Sequence, residues 1–138
     1  MAVDCIIIVD DLKMVRDTWK LILNLDDRFK VIAECASGAE AIEAACKLNP
    51  QVMLMDISMS PVNGFEATRK ITRLCPDVNI IGVSIHNQTG YARNMLQLGA
   101  KGYVTKNAHQ DELIEAILEV SKGKKYICKE IEEKMGTE

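Results

Sequence analysis

Short apolar runs alternate with helix-like segments roughly every 20 to 25 residues along this chain, and that alternation points to a parallel sheet built from βαβ units. The runs Cys5-Ile6-Ile7-Ile8-Val9, Val52-Met53-Leu54-Met55, Ile80-Ile81-Gly82-Val83 and Gly102-Tyr103-Val104 have the length and bulk of strands buried on both faces. The pattern predicts strands at 5–9, 30–35, 51–56, 78–84 and 101–105. It predicts helices at 13–25, 38–48, 64–74, 89–98 and 110–122. Ser37 and Asn63 stand where helix N-caps are needed. Asn49-Pro50 stops the second helix, and Gly99 follows the fourth. In the last helix Leu113, Ala116, Ile117 and Val120 form a core stripe, with Ile114 and Leu118 beside it at its rim. The expected fold is an α/β open sheet of five parallel strands, doubly wound, with helices on both faces.

A chain of 138 residues is expected to form one domain, here residues 1–122. The net charge of −3 argues against nonspecific nucleic-acid binding by this chain. The first apolar run has no basic leader and is too short for a signal peptide or a membrane span, so a cytoplasmic location and no membrane contact are expected. The five cysteines have no C-x-x-C spacing. They suggest neither a zinc site nor a disulfide framework, and most are expected to pack as small hydrophobes. Residues 123–138 change character at Gly123-Lys124-Lys125. They have some helical promise but little to bury, and read as a linker or tail.

Acidic and basic residues follow the strand runs. Asp10-Asp11 follows the first predicted strand, Asp56 ends the third, Ser84 ends the fourth and Lys106 follows the fifth. In an open α/β sheet the C-terminal strand ends lie together, and ligands bind there. Three carboxylates and an ammonium are therefore expected on one small surface. Clustered carboxylates repel unless a cation sits among them, and a hard ion such as Mg2+ suits them. Each acid has a plainer reading as a cap or turn residue. Asp10-Asp11 supplies more charge than one cap needs, and strand alternation sends its two side chains different ways. The set suits phosphoryl chemistry: an ionised carboxylate as nucleophile, with Lys106, Ser84 and Mg2+ to hold the oxygens. No G-x-x-x-x-G-K-[ST] or G-x-G-x-x-G run is present, which disfavours a nucleotide-binding loop. His86 and His109 have no partners at metal-ligand spacing.

These residues, taken together, resemble the receiver domain of two-component response regulators over residues 4 to about 122. Val31-Ile32-Ala33-Glu34, Ser84-Ile85-His86, Gly99-Ala100-Lys101-Gly102-Tyr103-Val104 and Gly123-Lys124-Lys125-Tyr126-Ile127 are similar to the NarL/FixJ-type (LuxR-like) subgroup. The resemblance implies a flavodoxin-like sheet of order 2-1-3-4-5. It implies that Asp56 accepts a phosphoryl group from a sensor histidine kinase. Asp10, Asp11, Asp56 and the Ser58 backbone carbonyl would form the Mg2+ site, with Asp11 and Asp56 as direct ligands. Ser84 and Lys106 would hold the phosphoryl group. Tyr103 would turn inward as a switch once Ser84 moves, reshaping the face made by the fourth helix, fifth strand and fifth helix. Ser58 and His86, two residues beyond Asp56 and Ser84, would tune hydrolysis. The output would be homodimerisation and transcription regulation, with DNA reached only through an output domain absent from this chain.

Two positions depart from the family pattern. Ser60 stands where a proline is usual, with Pro61 following, so the loop after the third strand is expected to take a different path. Asn107 follows the lysine where a cis proline is common, so a trans bond is expected there. Alternatives are a stand-alone receiver acting by protein contact or phosphorelay, and a phosphorylation-independent scaffold. The scaffold should have lost an acid or the lysine, and this chain keeps them. An aspartyl phosphatase of the haloacid dehalogenase type would need D-x-D after the first strand, whereas Leu12 follows Asp10-Asp11.

Overall fold

The computed structural model describes residues 3–138, so the first two residues of the expected domain lie outside it. Strands β1 (Val3–Val9), β2 (Phe29–Cys35), β3 (Val52–Met55), β4 (Asn79–Ser84) and β5 (Gly102–Thr105) alternate with helices α1 (Lys13–Asn24), α2 (Gly38–Leu48), α3 (Gly64–Leu74), α4 (Thr89–Gln97) and α5 (Gln110–Ser121). Every strand pairing is parallel, and the order β2-β1-β3-β4-β5 is the one anticipated. All four residues of β3 and of β5 are buried. That is why these strands read as unbroken apolar runs rather than alternating ones.

Local chemistry sets the helix ends. Ser37 caps α2 by accepting from the Glu40 N–H at 3.2 Å, and its hydroxyl donates to the Glu40 carboxylate at 3.1 Å. Asn63 accepts from the Glu66 N–H at 2.9 Å at the start of α3. Asn49 closes α2 in the left-handed region at φ 45°. Leu113, Ala116, Ile117 and Val120 are buried as the stripe requires, and Ile114 and Leu118 are half-buried.

The tail corrects the sequence reading. Tyr126–Ile127 form a sixth strand, β6, parallel to β5, and Lys129–Gly136 form α6. The segment buries more than its composition suggested: Cys128 and Ile131 are completely buried. A two-residue strand and a charged helix carry too weak a periodicity to stand out, because two inward positions hold them in place. Polar contacts do the rest. The Glu112 carboxylate accepts from the Tyr126 hydroxyl at 3.0 Å and from the Lys129 N–H at 2.7 Å. Glu130 accepts from Thr105 at 3.1 Å and from the Asn87 amide at 3.2 Å. Among the described residues, no helix is long and apolar enough to cross a membrane.

Candidate functional site

The parallel pairing brings Asp10, Asp11, Asp56, Ser84 and Lys106 to the C-terminal edge of the sheet. They follow or end four different strands, β1, β3, β4 and β5, so side chains far apart in the chain meet. Carboxylate oxygens of Asp10, Asp11 and Asp56 all lie within 4.8 Å of one another. Asp10 and Asp56 are buried and Asp11 is exposed, the divergence expected of neighbours at a strand end. Lys106 reaches across to them, with its Nζ 2.8 Å from Asp10 Oδ2 and 3.2 Å from Asp56 Oδ1. Its own N–H donates to the Ser84 carbonyl at 2.7 Å.

Electrostatics follow from that crowding. Burial pushes the Asp56 carboxyl above its ordinary range, the Asp10 charge pushes it further, and Lys106 only partly offsets both. For Lys106, burial lowers the ammonium pKa. The hydrogen bond to Asp10 and the charges of Asp56 and Asp10 outweigh it, so the net shift is upward. One ammonium among three carboxylates leaves a net negative surface suited to a hard cation of oxygen preference.

Asp10 is held in place from several sides. Its Oδ1 accepts from the Leu12 N–H at 2.9 Å, and its main-chain carbonyl accepts from Arg16 Nη1 at 2.6 Å. Arg16 also pairs with Glu34 at 3.2 Å. Sequence reading missed Arg16, since an arginine in the first turns of a helix has no distinctive signal. Gly64, at the start of α3, lets the chain pass under Asp56. A Cβ there would lie 2.2 Å from the Asp56 carbonyl oxygen and 2.7 Å from Ile57 Cα. The Ser60–Pro61 peptide is cis and the Lys106–Asn107 peptide is trans, the latter as anticipated.

Ser58 and His86 were singled out separately, and the structure joins them. Ser58 Oγ and His86 Nε2 are 2.9 Å apart across the mouth of the site. The His86 ring stacks on Tyr91, with centroids 4.2 Å apart. They border an open cleft of about 500 Å³ that also includes Asp11, Met59 and Asn63. Tyr91 carried no sequence signal. His109 lies apart from the site and caps α5, accepting from the Asp111 N–H at 3.2 Å.

Tyr103 is inward and wholly buried. Its hydroxyl donates to the His86 carbonyl at 2.6 Å, and burial pushes its phenol up to about 12. Space for the ring comes from Gly82, its partner across the β4–β5 pair. A Cβ on Gly82 would lie 3.1 Å from Tyr103 Cδ2 and 3.0 Å from Met95 Cε. Ser84 is buried and accepts from the His86 N–H at 3.1 Å. Tyr103 is therefore seated inward in this structure. The missing side chain of Gly82 leaves room for it.

Residues 6–118 match the family described as the response regulator receiver domain. The chain belongs to that family. This receiver is 43% identical over 122 residues to the transcriptional regulatory protein DegU of Brevibacillus brevis, covering 88% of this chain and 52% of that protein. It is 35% identical over 130 residues to the response regulator GacA of Pseudomonas viridiflava, covering 94% and 61%. It therefore spans only about half to three-fifths of the length of these relatives. A crystal structure of a LuxR-family two-component response regulator from Aurantimonas sp. SI85-9A1 superimposes with a TM-score of 0.95 at 27% identity, covering 99% of this chain and 97% of that one. That overlap takes in β6 and α6. These likenesses agree with the NarL/FixJ-type (LuxR-like) subgroup anticipated from the sequence.

Proposed function

We propose that this receiver takes a phosphoryl group from a sensor histidine kinase onto Asp56 in a Mg2+-dependent reaction. The observation that carries the reading is the meeting of Asp10, Asp11 and Asp56 within 4.8 Å beside the Lys106 ammonium. An Asp56 carboxylate oxygen forms the new O–P bond as the N–P bond of the phosphohistidine breaks. Lys106 and the Ser84 hydroxyl hold the equatorial oxygens. The acidic cluster fits Mg2+ by donor type and charge. Asp11, Asp56 and the Ser58 carbonyl would hold it directly. Both oxygens of Asp10 already serve Leu12 and Lys106, which favours a supporting role for Asp10. Bound Mg2+ supplies charge neutralisation at the phosphoryl oxygens.

The new phosphoryl charge biases a two-state equilibrium that joins Ser84, the loop at His86 and Tyr103. Moving such an equilibrium from 1:99 to 99:1 needs about 5.5 kcal/mol of differential interaction. We propose control of homodimerisation and of transcription through an output domain, with DNA contacted only by that domain. The name of the DegU relative, a transcriptional regulatory protein, supports this output.

The test is intact mass after incubation with acetyl phosphate and Mg2+, for the full chain and for Asp56→Asn. A Mg2+-dependent gain of one phosphoryl group, absent in the variant, is expected. A beryllofluoride titration of the folded protein then separates a short-lived phosphoaspartate from a scaffold. Absence of both adduct and beryllofluoride binding would overturn the proposal.

A further inference from the structure

Two cysteines that nothing in the sequence paired stand face to face. Cys46, near the C-terminal end of α2, and Cys75, the C-cap of α3, are 29 residues apart in sequence. Their sulfurs are 2.9 Å apart, within about 1 Å of the bonded S–S length of roughly 2.05 Å. Cys46 is exposed and Cys75 half-buried, whereas Cys35 and Cys128 are buried. An exposed sulfur gains little from apolar burial, so core packing does not account for Cys46.

We infer that Cys46 and Cys75 form an oxidisable dithiol, closed to a disulfide by a hydroperoxide and reopened by small thiols. The two helices run back toward the N-terminal strand ends, so their C-terminal turns lie at the end of the sheet opposite Asp56. Cys46 meets the oxidant first because it is exposed. Its thiolate attacks a peroxide oxygen, the O–O bond breaks, and hydroxide leaves to become water. The product is a sulfenic acid. Cys75 sulfur then attacks Cys46 sulfur, gives up its proton and expels the hydroxyl group as a second water. Two thiols and one hydrogen peroxide yield one disulfide and two waters, with two electrons passing from sulfur to oxygen. Burial, and then the hydrogen bond with Cys46, push the Cys75 thiol up to about 11. The closing step therefore speeds up as pH rises, because the thiolate is the nucleophile. The ring so closed contains β3, Asp56 and α3.

The experiment treats the full chain with hydrogen peroxide and follows intact mass, peptide linkage and thermal melting. A loss of about two mass units is expected, with one cross-linked pair holding Cys46 and Cys75 and full reversal by dithiothreitol. Oxidation should raise the melting temperature of the wild type by about 10 °C. It should not do so for Cys46→Ser, whose exposed position leaves folding intact. Oxygen added to Cys46 without a cross-link would overturn the inference. So would linkage through other cysteines or between chains, or unchanged thiols under conditions that oxidise a control dithiol peptide.

Discussion

The hydroxyl of Tyr103 is bound to the main-chain carbonyl of His86 at 2.6 Å, so the middle of β5 is tied to the loop that carries one wall of the acidic site. That loop also receives α6, since Lys134 Nζ donates to the Asn87 carbonyl at 3.1 Å. Site, buried ring and tail are thus joined through adjacent residues.

Gly82→Ala is expected to disturb the ring first. The new Cβ would lie 3.0 to 3.1 Å from Met95 and Tyr103, tight enough to move one of them. Overpacking of this kind costs about 1–3 kcal/mol. Urea denaturation measures the loss. Side-chain NMR should find Tyr103 displaced, and an unmoved ring in a destabilised protein would assign the strain to Met95 instead.

Removing the ammonium should expose the repulsion it contains. Lys106→Ala leaves buried Asp10 and Asp56 without their cation, a change that costs about 3 kcal/mol. Mg2+ should restore part of that stability, and should bind the variant more tightly than the wild type. Isothermal titration decides this, and weaker Mg2+ binding in the variant would contradict the electrostatic account.

The Asp56 carboxyl titrates above its unfolded value, for reasons of burial and then of the Asp10 charge. The folded state therefore binds this proton more strongly than the unfolded state. Stability from this group is present at acid pH and declines as pH rises from the unfolded pKa through the folded one. Asp56→Asn removes the penalty, so in Mg2+-free buffer the variant should melt higher than the wild type at pH 7. The difference should shrink as pH falls toward the ordinary carboxylate range. Parallel melts across pH test the sign.

Ile131→Ala should release the tail. Truncating a fully buried isoleucine costs about 2–4 kcal/mol. Hydrogen exchange should quicken across 126–136 while β1 and β3 keep their protection. Uniform quickening everywhere would mean that α6 opens only with the whole domain.

Sheet and acidic site were legible because their signals are dense. Each strand run was long, apolar and followed by a helix pattern, and Asp10, Asp11, Asp56, Ser84 and Lys106 stood at run ends where topology gathers side chains. Arg16 and Tyr91 stayed hidden since their roles depend on where a neighbouring loop passes. The Cys46–Cys75 contact depends on how α2 and α3 pack side by side, a relation that spacing along the chain does not encode. Residues 126–136 were misjudged because two inward positions, Cys128 and Ile131, are too few to establish a period. The seat of Tyr103 was hidden for a related reason: it is created by an absent side chain, at Gly82.

The short strand β6 has a further consequence for the chain in concentrated solution. Open sheets carry unpaired main-chain groups along their outer strands, which invite pairing with other molecules. At the β2 side, Glu34 is engaged with Arg16 and Lys20, and charged side chains on an outer strand discourage such pairing. At the other side, β5 is a fully buried, mostly apolar strand that would make an adhesive edge if bare. Tyr126–Ile127 cover it for only two residues before the chain turns into α6, leaving a stub too short to template a neighbour. The tail is in this sense a guard against aggregation.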